Sequence, residues 1–240
     1  MQTPSFSSAT TDLSLGQRLI RVLHDPKGTF ESLGDEPGWQ DWVVPALVVA
    51  LLAAASTYVT LPLMDPVRPE VRDELARLSE QERAQAIEVV EMVRSHGWLT
   101  LPLVNSFSAL VAVSVVLMGV ARWVFRSEAG FRHMLVVTAY ASVTQGVESV
   151  VRTPLMLLSG SLVVHLGPGA LVSKEMAATY LGRLLLNISL AGLWQLWIIG
   201  IGFGVMAGIP PRRSLAAVVM LWALWLVFAS ASLPAQVASS

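Results

Sequence analysis

Glu148 and Arg152 are the residues whose types and spacing first suggest chemistry. Both fall inside a long apolar stretch, where a charge costs on the order of 2.5 to 3.5 kcal/mol at the centre of a spanning helix. Their i, i+4 spacing puts them on one helix face with the acid N-terminal to the base, the better order for a local ion pair. Thr144 and Gln145 extend that polar face by a turn. Two uses fit. One is a polar path or binding site for a small solute or ion. The other, the commoner use of such groups in bundles, is a neutralised pair that docks its helix on Asn105, Asn187 or Gln195 of other helices. Pro154, which cannot donate a backbone hydrogen bond, predicts a kink or an early end of the helix just beyond Arg152.

Other chemistry is scarce. The chain has no cysteine, which excludes disulfides, thiolate metal sites and cysteine nucleophiles, and leaves the redox compartment unreadable. His24, His96, His133 and His165 occur singly, without metal-ligand spacing, and neither a nucleophile elbow nor a zinc-protease motif is present. Gly200-Ile201-Gly202-Phe203-Gly204 has no preceding strand and lies inside an apolar run, so it is not a phosphate loop. Gly200, Gly204 and Gly208 instead repeat every four residues and predict a smooth face for close helix packing. Trp194, Trp197, Trp222 and Trp225 predict an aromatic core, if the helices that carry them are antiparallel neighbours. The sequence therefore predicts no catalytic residues, no metal and no cofactor.

The elements that must position these residues are membrane spans. Of 240 residues, 54% are hydrophobic and 14% charged, against roughly 25% charged in soluble domains, and the mean hydropathy is +0.60. Apolar blocks over about 42–64, 98–124, 134–158, 180–207 and 214–233 approach or exceed the ~20 residues that cross a hydrocarbon layer. The fold class read from them is all-α, an integral membrane bundle of five transmembrane helices. Before it, residues 1–40 form an N-terminal segment: ten Ser/Thr-rich residues expected to be mobile, then Leu15, Leu19, Val22 and Leu23 at the spacing of an amphipathic helix suited to the membrane interface, the alternative being a helix packed on the bundle. No apolar core of the secretory type precedes the first span, so an uncleaved N-terminus is expected. The membrane domain occupies 41–235 and ends in frayed residues.

Between spans one and two, residues 65–96 carry eight acidic residues and five arginines. This insert must lie outside the bilayer. Val71, Leu75 and Leu78 form one stripe; Ala86, Ile87, Val90 and Val93 form another after the Ser79–Glu82 capping box. They predict two short helices covering one mouth of the bundle. Arg122, Arg126 and Arg132 surround the turn after span two, and Arg212 and Arg213 the turn after span four, so both turns are expected to face the cytoplasm. The N-terminus is then cytoplasmic, and the acidic insert and the C-terminus extracytoplasmic. A formal net charge of -1 shows no basic excess for nucleic acid.

Three stretches resemble the YIP family, polytopic membrane proteins first known as partners of Ypt/Rab GTPases, in its prokaryotic form. The first is Asp25-Pro26-Lys27-Gly28-Thr29-Phe30-Glu31-Ser32-Leu33, with an aromatic four residues after a proline and then an aliphatic. The second is the turn Ala129-Gly130-Phe131-Arg132 running into Ala139-Tyr140. The third is Trp194 through Gly202 to Ser214-Leu215-Ala216. Thr144-Gln145 stand where the family often has a proline. The resemblance implies a five-span bundle with a cytoplasmic N-terminus, no catalytic residues, and, in eukaryotic members, a role in membrane traffic, organelle shape or GTPase recruitment. Placed in a bacterial cytoplasmic (inner) membrane, the chain reads as a non-enzymatic scaffold or adaptor. Its expected partners are the lipid bilayer and other membrane proteins or a second copy of itself. The alternative is a permease for a small solute or ion, of unknown identity, using Glu148, Arg152, Gln145 and Thr144.

Overall fold

The computed structural model describes residues 14–34 and 36–232. The first ten residues, the last residue of span five as read at 233 and the expected frayed end lie outside the described residues. The helices are α1 (Leu15–Arg21), α2 (Pro26–Glu31), α3 (Gln40–Thr60), α4 (Pro69–Ala76), α5 (Glu80–Met92), α6 (Trp98–Trp123), α7 (Phe131–Ala141), α8 (Val143–Ser159), α9 (Lys174–Ala177), α10 (Tyr180–Leu186), α11 (Leu190–Ala207) and α12 (Pro211–Ser232). Five helical stretches are long and apolar enough to cross a membrane: Gln40–Met64, Glu80–Trp123, Phe131–Ser159, Leu190–Ala207 and Pro211–Ala231.

These stretches pack in a row. α6 lies against α3 and α7, α3 against α7 and α8, α11 against α7 and α8, and α12 against α11 and the short α10. Span three, made of α7 and α8, is the central element although it is the least apolar of the five. Of its best spanning window 61% is buried, against 17% for span two and 22% for span five. Lipid accounts for this order: polar side chains cost most when they face hydrocarbon, so the helix that carries Thr138, Thr144, Gln145 and Glu148 goes inside. Every residue of α7 from Met134 to Ala141 is buried. The outer helices turn rows such as Val104, Val111 and Val115 on α6, and Leu224 and Phe228 on α12, away from the protein.

Four local features differ from the sequence reading. Span four, read as one helix over 180–207, is two, because Ser189 leaves helical geometry (φ -113, ψ 155) to cap the new N-terminus at Gly192 N–H. The Leu190 N–H there donates to Leu166 O at 2.9 Å. Span three, expected to kink or end early at Pro154, does not end there: α8 continues past it to Gly160, which closes the helix at φ 68. Thr153 holds that stretch, donating to Ser149 O at 2.7 Å and meeting Ser56 Oγ of α3 at 2.6 Å. The interruption falls instead at Ser142, where the Gln145 N–H turns back to Ser142 O at 2.8 Å.

The insert forms the two expected helices, but they do not make a cover. α5 continues through one π turn (Val93–Gly97) into α6, giving an unbroken helical stretch of 44 residues. At 1.5 Å per residue it is about 65 Å long, roughly twice the hydrocarbon thickness, so α5 projects beyond the bundle. α4 folds back on it, with Arg83 Nε donating to Leu75 O at 2.9 Å. The base is tied by Arg94 to Asp65 at 3.0 Å, and by Arg68, which donates to the α8-terminal carbonyl of Gly160 at 3.1 Å. The Val67 N–H and the Arg94 guanidinium hold the Asp65 carboxyl below its ordinary range.

The fourth difference is at the N-terminus. Rather than presenting its whole apolar stripe outward, α1 docks: Leu19 and Leu23 pack on the core beside the fully buried Val22, while Ile20 stays exposed. Arg18 pairs with Asp41 at the start of α3 (2.9 Å). Asp25 caps α2 through the Gly28 N–H at 2.9 Å and accepts from Arg21 at 2.7 and 3.0 Å. Those contacts, the Gly28 N–H foremost and Arg21 next, lower the Asp25 pKa from 3.8. A depressed carboxylate contributes its full stabilisation above the unfolded value and loses it as pH falls through the folded one. We expect a spin label at Glu31→Cys, unique because the chain has no other cysteine, to gain mobility reversibly as pH drops from about 5 to about 2. Asp25→Asn should flatten that profile; a flat profile in the parent chain would count against the cap.

Candidate functional site

The polar face of α8 points at α11. The Gln145 side-chain amide donates to Gln195 Oε1 at 2.9 Å, and Glu148 Oε2 accepts from Ser189 Oγ at 3.2 Å. Its other oxygen lies 3.8 Å from an Arg152 nitrogen, a loose i, i+4 pair in which the Glu148 side chain is 10% exposed and that of Arg152 44%. Ser189 also accepts the Gly192 N–H at 2.9 Å, so the carboxylate stands beside the positive end of α11, where the helix macrodipole favours an anion. Thr144 is fully buried and donates back to Ala141 O, closing the Ser142 interruption instead of joining the group. Of the three expected docking partners only Gln195 takes part: Asn187 donates to Arg183 O, and Asn105 is exposed.

Glu148 lies about 25 Å along the helix from Phe131 at 1.5 Å per residue, level with the first residues of α11. Ser189 is the partner that the sequence reading missed, although Ser189 ahead of an apolar run is a legible N-cap signal.

Two of the three glycines of the repeat face the next helix in the chain. A Cβ on Gly200 would meet the Leu215 side chain and lie 3.2 Å from its Cα; one on Gly204 would lie 2.7 Å from Ser214 Oγ. Both positions are therefore covered by α12 of the same chain. Gly208 has φ 65 and ends α11 with nothing near it. The site that the sequence did not single out is on the other side of α11, where Gly202 lies under Phe30: a Cβ there would be 2.5 Å from the ring. Phe30 is 1% exposed and meets the Tyr140 ring edge-on at 6.2 Å. Nor do the four tryptophans interlock: among the described residues the ring pairs are Phe30–Tyr140, Tyr58–Trp98 and Phe125–Phe203. Trp197 and Trp225 are largely exposed on the bundle surface instead.

Among the described residues no three metal-capable side chains cluster. What the arrangement defines is a polytopic, all-α integral membrane protein. The chain belongs to the Yip1 domain family, whose model matches residues 20–233, from α1 to the end of span five. No curated protein and no solved structure matches it.

Proposed function

We propose that this chain is a non-enzymatic scaffold or adaptor that acts through protein contacts outside the bilayer. The observation that carries the reading is the α4–α5 hairpin, a charged two-helix projection continuous with a spanning helix. A mast of this kind presents surface to a partner; Leu78 and Val89 are exposed on it. The closed polar face of α8 supports the same reading, since each Glu148 oxygen has its own partner within the chain. Self-association through the glycine face is not part of it, because α12 already covers that face.

The orientation we propose puts the N-terminus in the cytoplasm of a bacterium and the mast and C-terminus outside. Arg132 and the Arg212–Arg213 pair stand in the first turns of α7 and α12, where the helix dipole opposes positive charge. An anionic cytoplasmic leaflet offsets that cost. A second reading, a small-solute or ion permease, is favoured by one observation: Glu148 adjoins the break in span four, where a helix N-terminus opens.

One experiment separates the two. A benzophenone attached at Val89→Cys is photolysed in native membranes, in the parent chain and in a chain that also carries Glu148→Gln and Arg152→Leu. A scaffold gives the same adducts in both, and neither chain dissipates an ion gradient in proteoliposomes. Absence of adducts, together with gradient loss that the double replacement abolishes, would overturn the scaffold in favour of transport.

A further inference from the structure

The turn between α6 and α7 carries exposed charges that form no ion pair among the described residues. Arg122, Arg126, Ser127 and Glu128 line an open cavity of about 460 Å³ at the bundle end opposite the mast. Among the described residues neither arginine forms an ion pair, and Glu128 pairs with neither although it lines the same cavity.

The turn is held open from within. Phe125 anchors one side, its ring edge-on to Phe203 at 6.1 Å. Ser127 anchors the other, donating through Oγ to Ala207 O at 2.7 Å and through its backbone N–H to Ala121 O at 2.9 Å. Arg126 between them has φ 56, the only positive φ outside glycine among the described residues. An L side chain in that region costs about 1 to 2 kcal/mol, and such strain concentrates at functional positions.

We propose that this cavity is a headgroup site for a phospholipid that carries a primary ammonium. Arg122 and Arg126 hold its phosphate, and Glu128 holds its ammonium. Two guanidiniums recognise a phosphate, but the carboxylate beside them finds no partner in a purely anionic headgroup. A zwitterion with N–H donors gives each of the three side chains a hydrogen-bond partner, whereas a trimethylammonium offers Glu128 no hydrogen bond. The occupant is a lipid and not its free headgroup because the adjoining surface is apolar. Trp123 is 85% exposed and Val124 67%, and Val116 continues the exposed face along α6, a platform for acyl chains with an aromatic ring at the boundary.

The test is native mass spectrometry of the full chain with equimolar phosphatidylethanolamine, phosphatidylglycerol and phosphatidylcholine. Phosphatidylethanolamine should be retained about tenfold over phosphatidylcholine, the effect of one charge-assisted hydrogen bond. Glu128→Gln, an exposed change that leaves the fold intact, should erase that preference, and Arg122→Ala with Arg126→Ala should release the lipid. Soluble glycerophosphoethanolamine should not compete at the lipid's own concentration. Equal retention of the three lipids, a preference for phosphatidylglycerol, a preference unchanged in Glu128→Gln, or displacement by the soluble headgroup would each overturn the proposal.

Discussion

Replacing Gly202 by valine is expected to release the N-terminal segment from the bundle while the five spans stay assembled. A Cβ at this position falls 2.5 to 3.0 Å from three atoms of the Phe30 ring, and the ring cannot retreat because Tyr140 stands beside it and both residues are fully buried. Overpacking of this kind costs about 1 to 3 kcal/mol, and losing the burial of a phenylalanine about 3 to 5. Either way the docking of the segment weakens, although Arg18–Asp41 and the docked Val22, Leu19, Leu23 and Leu33 still contribute to it. The readout is tryptic cleavage after Arg18, Arg21 and Lys27 in intact membranes, which should accelerate at least tenfold, since cleavage follows the population of the open form. Phe30→Ala should act in the same direction, because it removes the anchor itself. Cleavage of Gly202→Val at the parent rate would show that Phe30 does not need the space above that glycine.

The second large effect is expected at Gly200. α12 is held chiefly by α11, and their closest approach is where Leu215 and Ser214 lie over Gly200 and Gly204. A leucine at Gly200 would drive into the Leu215 backbone, 3.2 Å from its own Cβ, which no side-chain rotation relieves. We expect Gly200→Leu to separate the last two spans at a cost of about 3 kcal/mol or more. In detergent this should appear as a marked fall in the unfolding midpoint followed by tryptophan fluorescence, to which Trp222 and Trp225 of α12 contribute. Gly208→Leu should be milder, since nothing packs there and the penalty is the left-handed backbone alone. A dimer face would behave in the opposite way, with Gly200→Leu abolishing crosslinked dimers and sparing the monomer's stability. That result would sink the assignment made here.

The contrast between these two glycines and the charged pair shows how far the sequence could be read. Small residues at four-residue spacing announce close packing, but spacing carries no information on which helix arrives, and the neighbour proved to be the next helix in the chain. Gly202, between them, has the opposite face occupied by a segment more than 170 residues away in sequence, a pairing that no local pattern encodes. Likewise Glu148 and Arg152 were legible as an i, i+4 pair. Their depth was not, because it depends on where span three begins relative to the others and on the break at Ser189. Pro154 is instructive in the same way: its intrinsic tendency to break a helix is overcome by the Thr153 and Ser56 contact with α3, whereas Ser142, unremarkable in sequence, carries the interruption.

What the sequence by itself determined was the number and order of the spans, the all-α class and the membrane as solvent, and, through its motifs, the Yip1 domain family. The first three follow from local quantities: the length of apolar runs, capping residues, and backbone groups that must be satisfied within a helix when lipid offers them nothing. Tertiary structure alone decided which helix is central, which glycine faces which neighbour, whether the insert covers the bundle or rises from it, and where the N-terminal helices rest. Those outcomes depend on contacts between residues far apart in the chain, and in hydrocarbon the differences between alternative packings come from shape and a few polar pairs, which the linear order of residues does not record.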